Sequence, residues 1–146
     1  MTRNMEWGST ILRVTLGSIL FVHGVGKLFG VGPVPQPIPE FTTFLASHGL
    51  PGPAVWAWLV GLVEFGGGIL LVLGFLTRFA ALAVAIDMVG AIVLVHLPRG
   101  FAYTVGGYEY AVALLAMALS LVVSGPGSPA LTNLLFGGEP FWPRGD

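Results

Sequence analysis

Seven ionisable side chains lie within long apolar stretches of the sequence, where a charge is costly. They are Arg13, His23, Lys27, Glu64, Asp87, His96 and Glu109. Because an ionised group in lipid needs a partner or a polar cavity, such residues mark functional sites or ion pairs in membrane proteins. Imidazole and carboxyl groups supply general acid–base chemistry, and an ammonium group supplies a fixed positive charge. The set therefore predicts polar sites inside an apolar bundle.

The depths of these residues along their helices divide them into two tiers. At a rise of about 1.5 Å per residue, the outer tier draws on four helices and contains His23, Lys27, Glu64, His96 and Glu109. We predict a ligand pocket there, in which His23 and Glu64 are acid–base groups and Lys27 is the cation. Glu109 would balance the charge of Lys27. The alternative is that Lys27 and Glu109 only clasp two helices together.

The inner tier contains Arg13 and Asp87. Their opposite charges at similar depth predict a structural ion pair rather than a catalytic site. Asp87 and His96 are nine residues apart, which places them about half a turn out of phase on a straight helix. They therefore face the same cavity only if the helix bends.

Small residues indicate how one of the carboxyl groups is oriented. Ala57, Gly61, Glu64 and Gly68 recur at spacings of four, three and four, so they form one stripe on a helix. Small residues let membrane helices approach closely. We therefore expect Glu64 to face a helix–helix interface rather than lipid.

Four apolar stretches are long enough to cross a bilayer, which takes about 20 residues each. They cover about residues 9–30, 54–76, 78–97 and 105–123. The one long loop, residues 31–53, begins with alternating prolines and contains a short amphipathic helix, residues 40–48. Backbone in lipid must satisfy its own hydrogen bonds. The sequence thus predicts an all-α integral membrane four-helix bundle with a short interfacial helix in its first outer loop.

Composition supports a single membrane domain over residues 1–146. The chain is 55% hydrophobic and only 9% charged, whereas soluble domains carry about 25% charged residues. The net charge of −1 gives no basic surface, so nucleic acid is not an expected partner. The chain has no cysteine, which excludes disulfides and thiolate-held metals. We expect no metal site and no intrinsic cofactor, so redox work would need a borrowed one.

The positions of the basic residues predict the orientation. Four of them fall on one side of the predicted spans and two on the other: Arg3, Arg13, Arg78 and Arg144 against Lys27 and Arg99. Cytoplasmic loops are enriched in Lys and Arg. We therefore expect both termini in the cytoplasm and several passes through a plasma membrane of the bacterial type.

An ordered set of short motifs along residues 11–135 resembles the DoxX family of small membrane proteins. The matching positions are Leu12-Arg13-Val14, Gly17, Phe21, His23-Gly24, Lys27-Leu28, Gly49-Leu50-Pro51, Glu64-Phe65-Gly66-Gly67-Gly68, Leu73-Gly74, Thr77-Arg78, Met88, Ala91, His96, Gly100-Phe101, Glu109 and Gly125-Pro126-Gly127. After the last motif the family often has Ser and Asp, where this chain has Ala130 and Thr132. The resemblance implies a four-helix membrane bundle.

The resemblance also implies a redox connection. Members of the family include the membrane subunit of a thiosulfate:quinone oxidoreductase and accessory partners of secreted oxidative-stress enzymes. Our first hypothesis is a redox-associated subunit that binds quinone in the outer tier, next to a protein partner or a second copy. A non-catalytic accessory subunit and a small-molecule or proton pathway are the alternatives. Independent catalysis is not expected, and no catalytic residue is assigned.

Overall fold

The computed structural model describes residues 3–142, and it is helical with no strand in that part of the chain. Its α-helices are α1 (Arg3–Phe29), α2 (Ile38–Ser47), α3 (Pro53–Leu73), α4 (Thr77–Ala91), α5 (Glu109–Ser124) and α6 (Leu131–Phe136). Helix α4 continues through a π-helical turn (Ile92–His96) and a 3₁₀ turn (Leu97–Arg99), and a second 3₁₀ turn covers Tyr103–Val105.

Helices α1, α3, α4 and α5 form the bundle. Helix α1 packs mainly against α3, and α4 packs mainly against α5. The α3–α4 hairpin and a smaller α1–α5 contact close the ring. The core is apolar and fully buried at Leu16, Leu71, Val84, Ala118 and Leu121. The predicted all-α fold class is confirmed.

Three helices are long and apolar enough to span a membrane. They cover Glu6–Phe29, Pro53–Leu73 and Thr77–Arg99, with mean hydropathies of 1.4, 1.9 and 2.3. Helix α5 is apolar but has 16 residues, so it extends about 24 Å, against a hydrocarbon core of about 30 Å. Large apolar side chains cover the outside of the bundle, including Ile11, Leu62, Ile86, Val93 and Leu119. An outer surface of this kind suits lipid.

The helix boundaries differ from the predicted spans at three places, and the smallest difference is the end of α3, at Leu73 rather than residue 76. Helix α1 begins at Arg3 rather than residue 9. Helix α5 begins at Glu109 rather than residue 105, because Gly106 adopts a left-handed conformation with φ of 82°. Two hydrogen bonds, from Tyr108 N to the Gly100 oxygen and from Glu109 N to the Phe101 oxygen, then close the loop before α5.

The short helix in the first loop is present, but it packs on the bundle. The sequence predicted residues 40–48, and α2 covers Ile38–Ser47. Its Phe41 and Leu45 are buried in a small cluster with Ala57 of α3. Helix α2 therefore covers one end of the α1–α3 interface rather than only resting in the membrane surface.

Two names describe the ends of the bundle. The α2 end is the end where α2 and residues 100–108 lie, and the tail end is the end where residues 125–142 lie. Lys27 lies near the α2 end, and Arg13 and Arg78 lie near the tail end. Arg144 and the side chain of Arg3, which also entered the orientation argument, are outside the described part of the structure.

Candidate functional site

A buried ion pair joins α1 to α3 in the half of the bundle nearer the α2 end. Lys27 Nζ donates to Glu64 Oε2 over 2.6 Å, and the two side chains are only 6% and 8% exposed. The ammonium group also lies 4.8 Å from the ring centroid of Phe41 in α2, which is a cation–π distance. Charge-assisted hydrogen bonds of this kind are strong where water is excluded. Glu64 faces the helix–helix interface, as the small-residue stripe predicted.

Glycines bring the two helix backbones close enough for this pair to form. A Cβ atom added at Gly68 would lie 2.6 Å from the backbone nitrogen of Phe21, and one added at Gly24 would lie 2.3 Å from that of Phe65. A Cβ atom at Gly61 would lie 3.6 Å from the Cβ of Lys27. Lys27 thus starts beside Gly61 and reaches one turn along α3 to Glu64.

The expected contact between Lys27 and Glu109 is not formed. Glu109 Oε1 instead accepts a 2.6 Å hydrogen bond from the backbone nitrogen of Tyr103. Lys27 pairs with Glu64 because α1 lies directly against α3, while its contact with α5 is much smaller. Similar depth did not make Glu109 a neighbour of Lys27.

His96 and Glu109 both shape the loop at the α2 end. His96 Nδ1 donates to the backbone oxygen of Gly106 over 2.7 Å. His96 is the last residue of the π-helical turn Ile92–His96. This turn is the deviation from a straight helix that the nine-residue spacing of Asp87 and His96 requires if both are to face one cavity. Both side chains are thus bonded within the loop, whereas the other outer-tier residues lie along α1 and α3.

Asp87 belongs with the buried pair. Across the α3–α4 interface, a Cβ atom at Gly67 would lie 3.4 Å from Val84 Cγ2. One helical turn from that contact toward the α2 end brings α3 to Glu64 and α4 to Asp87, since the two helices are antiparallel. Asp87 therefore lies on the face of α4 that meets the Lys27–Glu64 pair. Its Oδ2 is buried and has no hydrogen-bond partner among the described residues.

The predicted ion pair of Arg13 with Asp87 is therefore wrong. The Arg13 guanidinium is 3% exposed and donates to backbone carbonyls, with distances of 3.1 Å to Leu71, 2.6 Å to Val72 and 2.8 Å to Pro126, and a further bond to Pro129.

The carbonyls at the C-terminal end of α3 explain where Arg13 binds. They lack helical partners and carry partial negative charge, which a guanidinium group satisfies. That end of α3 lies level with the start of α4 at Thr77, because only three residues join the helices. Asp87 is ten residues further along α4, about 15 Å away along the axis.

A groove on the outside of the bundle lies beside the buried pair. It runs between α1 and α5, has a volume of about 330 Å³, and is lined by Ser18, Ile19, Val22, His23 and Tyr110. The groove opens onto the outer surface of the bundle, where the exposed side chains are largely apolar. His23 is one helical turn from Lys27 on α1.

The groove offers hydrogen-bond donors to a ligand. The side chains of His23 and Tyr110 have no hydrogen-bond partner among the described residues. Tyr110 is 44% exposed. His23 belongs to the pocket predicted from the sequence and Tyr110 does not, although a tyrosine next to Glu109 in the first turn of an apolar helix is a visible signal. The arrangement can bind an apolar molecule that carries hydrogen-bond acceptors.

Together the fold and these polar groups define a class: an α-helical integral membrane protein with a charged cluster buried between its helices. The sequence matches the DoxX family over residues 8–97. The chain belongs to the DoxX family.

Curated relatives extend over nearly the whole chain. The chain is 32% identical to a Bacillus subtilis protein named "Putative oxidoreductase CatD" over 139 residues, which is 95% of each chain. It is 30% identical to the inner membrane protein YqjF of Escherichia coli over 137 residues, covering 92% of this chain and 97% of YqjF. An uncharacterized membrane protein of Mycobacterium tuberculosis is 43% identical over 97 residues, 60% of each chain. No solved structure matches the sequence.

Proposed function

We propose that this membrane protein is a redox-associated subunit that binds a quinone in the groove between α1 and α5. The observation that carries the proposal is that two hydrogen-bond donors, His23 and Tyr110, line one groove on the outer surface of the bundle. A membrane quinone is an apolar molecule whose two carbonyl oxygens accept hydrogen bonds, and the donor set fits that chemistry. When bound, a quinone supplies a carrier of two electrons and two protons.

The residues of the groove bind and orient the ligand. His23 on α1 and Tyr110 on α5 would each donate a hydrogen bond to a carbonyl oxygen of the quinone. Ile19 and Val22, which also line the groove, would contact its apolar parts. Behind the groove, Lys27 and Glu64 hold opposite charges in a site that excludes water, where their influence on the groove is strongest.

The electrons come from a partner. Because the chain has no cysteine, it cannot hold the thiolate-ligated clusters that commonly pass electrons to quinones. We therefore propose a protein partner, or a second copy that recruits one, in or beside the membrane. The name of the Bacillus subtilis relative, "Putative oxidoreductase CatD", supports a redox setting.

We also propose the bacterial plasma membrane as the location, with the tail end in the cytoplasm. The sequence assigns four basic residues to this side, of which Arg13 and Arg78 are described at the tail end, against Lys27 and Arg99 at the α2 end, and cytoplasmic sides carry the excess of Lys and Arg. A reporter that is active only outside the cytoplasm should be silent when fused to residue 146. The same reporter inserted after Gly32, which is exposed in the first loop, should be active. Activity at residue 146 and silence at Gly32 would reverse the orientation.

Removing one donor should weaken quinone binding. Tyr110→Phe deletes one hydrogen bond to the ligand, worth about 1 kcal/mol, so the Kd for a short-chain quinone should rise roughly fivefold. The titration is followed by tryptophan fluorescence in lipid nanodiscs. Tyr103→Phe is the control, because Tyr103 is 65% exposed and lies outside the groove.

The same titration separates the quinone-binding function from the accessory-subunit function. An unchanged Kd in Tyr110→Phe, or no binding to the wild-type chain, would contradict the quinone site. The polar residues would then serve only to hold the helices together, and the accessory-subunit function would stand.

A further inference from the structure

We propose that Lys27, Glu64 and Asp87 form a proton-binding site inside the bundle, with Asp87 as the group that carries the exchangeable proton. As a proton source for the groove, this role rests on the proposed function. The proton-binding property itself does not depend on it. This role explains a carboxyl group that is neither part of an ion pair nor part of the apolar core.

The proposed site has more acidic groups than basic groups. The site contains one ammonium group and two carboxyl groups, so it carries a net charge of −1 if all three are ionised. Lys27 and Glu64 neutralise each other across their 2.6 Å contact. Asp87 is left without a contacting cation, and an isolated carboxylate away from water is far more costly than a neutral acid. Binding one proton brings the site to neutrality.

Asp87 is surrounded by ionisable side chains from the neighbouring helices. The register of α3 against α4 places Glu64 opposite it, and Lys27 of α1 is bound to Glu64. From α5, Tyr110 lines the groove beside this pair. The buried Oδ2 of Asp87 lacks a hydrogen-bond partner within residues 3–142. Such an unpartnered oxygen is the atom on which a proton can be held and from which it can leave.

A metal ion does not fit the site as well as a proton does. Among the described residues, no group of three or more His, Cys, Asp or Glu side chains is placed to hold a metal. Lys27 also occupies the position that a metal cation would need beside Glu64. The proton is the cation that remains.

Glu64 lies between the proton site and the groove. It is bound to Lys27 of α1, the helix whose His23 lines the groove, and it sits in the α3–α4 interface opposite Asp87. When Asp87 gives up its proton, its O–H bond breaks and an O–H bond forms on the acceptor in the groove. The carboxylate of Asp87 then shares the positive charge of Lys27 with Glu64. Uptake of a proton from water restores the acid. No electron moves in this exchange.

Isotope labelling tests the proposal without damaging the bundle. The chain has only two aspartates, Asp87 and Asp146, so aspartate labelled with ¹³C at the carboxyl carbon gives two carboxyl resonances. Asp146→Asn removes one of them and thereby assigns the other. We expect the Asp87 resonance to change between acid and carboxylate at a pH that differs from that of Asp146.

A second variant tests whether the three groups act together. In Glu64→Gln the negative charge beside Asp87 is gone and Lys27 loses its partner, so the Asp87 transition should move by on the order of one pH unit. A structural role for Asp87 would leave the transition unmoved.

Three outcomes would overturn the proposal: an Asp87 resonance that does not titrate, one that titrates together with Asp146, or one that Glu64→Gln leaves in place. None of these measurements uses quinone. A failed quinone titration with an intact Asp87 transition therefore refutes only the proposed function.

Discussion

Lys27→Met destabilises the bundle by about 3–5 kcal/mol, the cost of leaving a buried charge without its partner. The ammonium group of Lys27 neutralises the charge of the Glu64 carboxylate, and both side chains are more than 90% buried. Methionine has a similar length and no charge, so the loss reports the charge rather than the volume. The free energy of unfolding is measured by reversible denaturation in mixed micelles.

A double-mutant cycle supplies the control for this prediction. Lys27→Met combined with Glu64→Leu removes both charges and should recover much of the loss, because two apolar side chains suit the site. Arg99→Met removes an exposed cation near the α2 end, and surface changes stay within about 0.5 kcal/mol. If the losses in the cycle simply add, Lys27 and Glu64 do not interact.

Gly68→Ala forces α1 and α3 apart. The new Cβ atom would lie 2.6 Å from Phe21 N and 2.8 Å from the Gly17 oxygen, both of them backbone atoms that no side-chain rotation can move. Overpacking of this kind costs about 1–3 kcal/mol. Because Glu64 is one turn away on the same face, the Lys27–Glu64 contact should lengthen as well. Thermal unfolding in the same micelles measures the effect.

Gly66→Ala is the matched control in the same run of three glycines. A Cβ atom there meets nothing within 4 Å, and alanine is favoured over glycine in a helix by up to about 1 kcal/mol. We expect Gly66→Ala to be neutral or slightly stabilising. Equal losses from the two substitutions would show that the close approach at Gly68 does not hold the bundle together.

The sequence predicted the helices and the burial of Glu64, because apolar length and the spacing of small residues carry that information directly. It did not predict the partners of the charges. Depth along a helix can be estimated from residue number, but it does not say which helix is the neighbour. The glycines of α1 and α3 place those two helices in contact, and this decides that Lys27 meets Glu64 instead of Glu109.

The partner of Arg13 was predicted wrongly for a different physical reason. A charge count pairs an arginine with a carboxylate, but the free carbonyls at the end of α3 and in the tail are equally good acceptors for a guanidinium group. Which carbonyls lie near Arg13 depends on how residues 125–130 fold back on the bundle. That long-range arrangement is not visible in local patterns. Asp87 was consequently assigned to the wrong partner.

The lipid extract of the gently purified wild-type chain tests the central claim most directly. The protein is isolated in a mild detergent, and its bound lipids are identified and quantified by mass spectrometry. We expect a quinone in an amount comparable to the protein, enriched over its share of the membrane lipids. A quinone content no higher than that of the bulk lipid would contradict a quinone site in this protein.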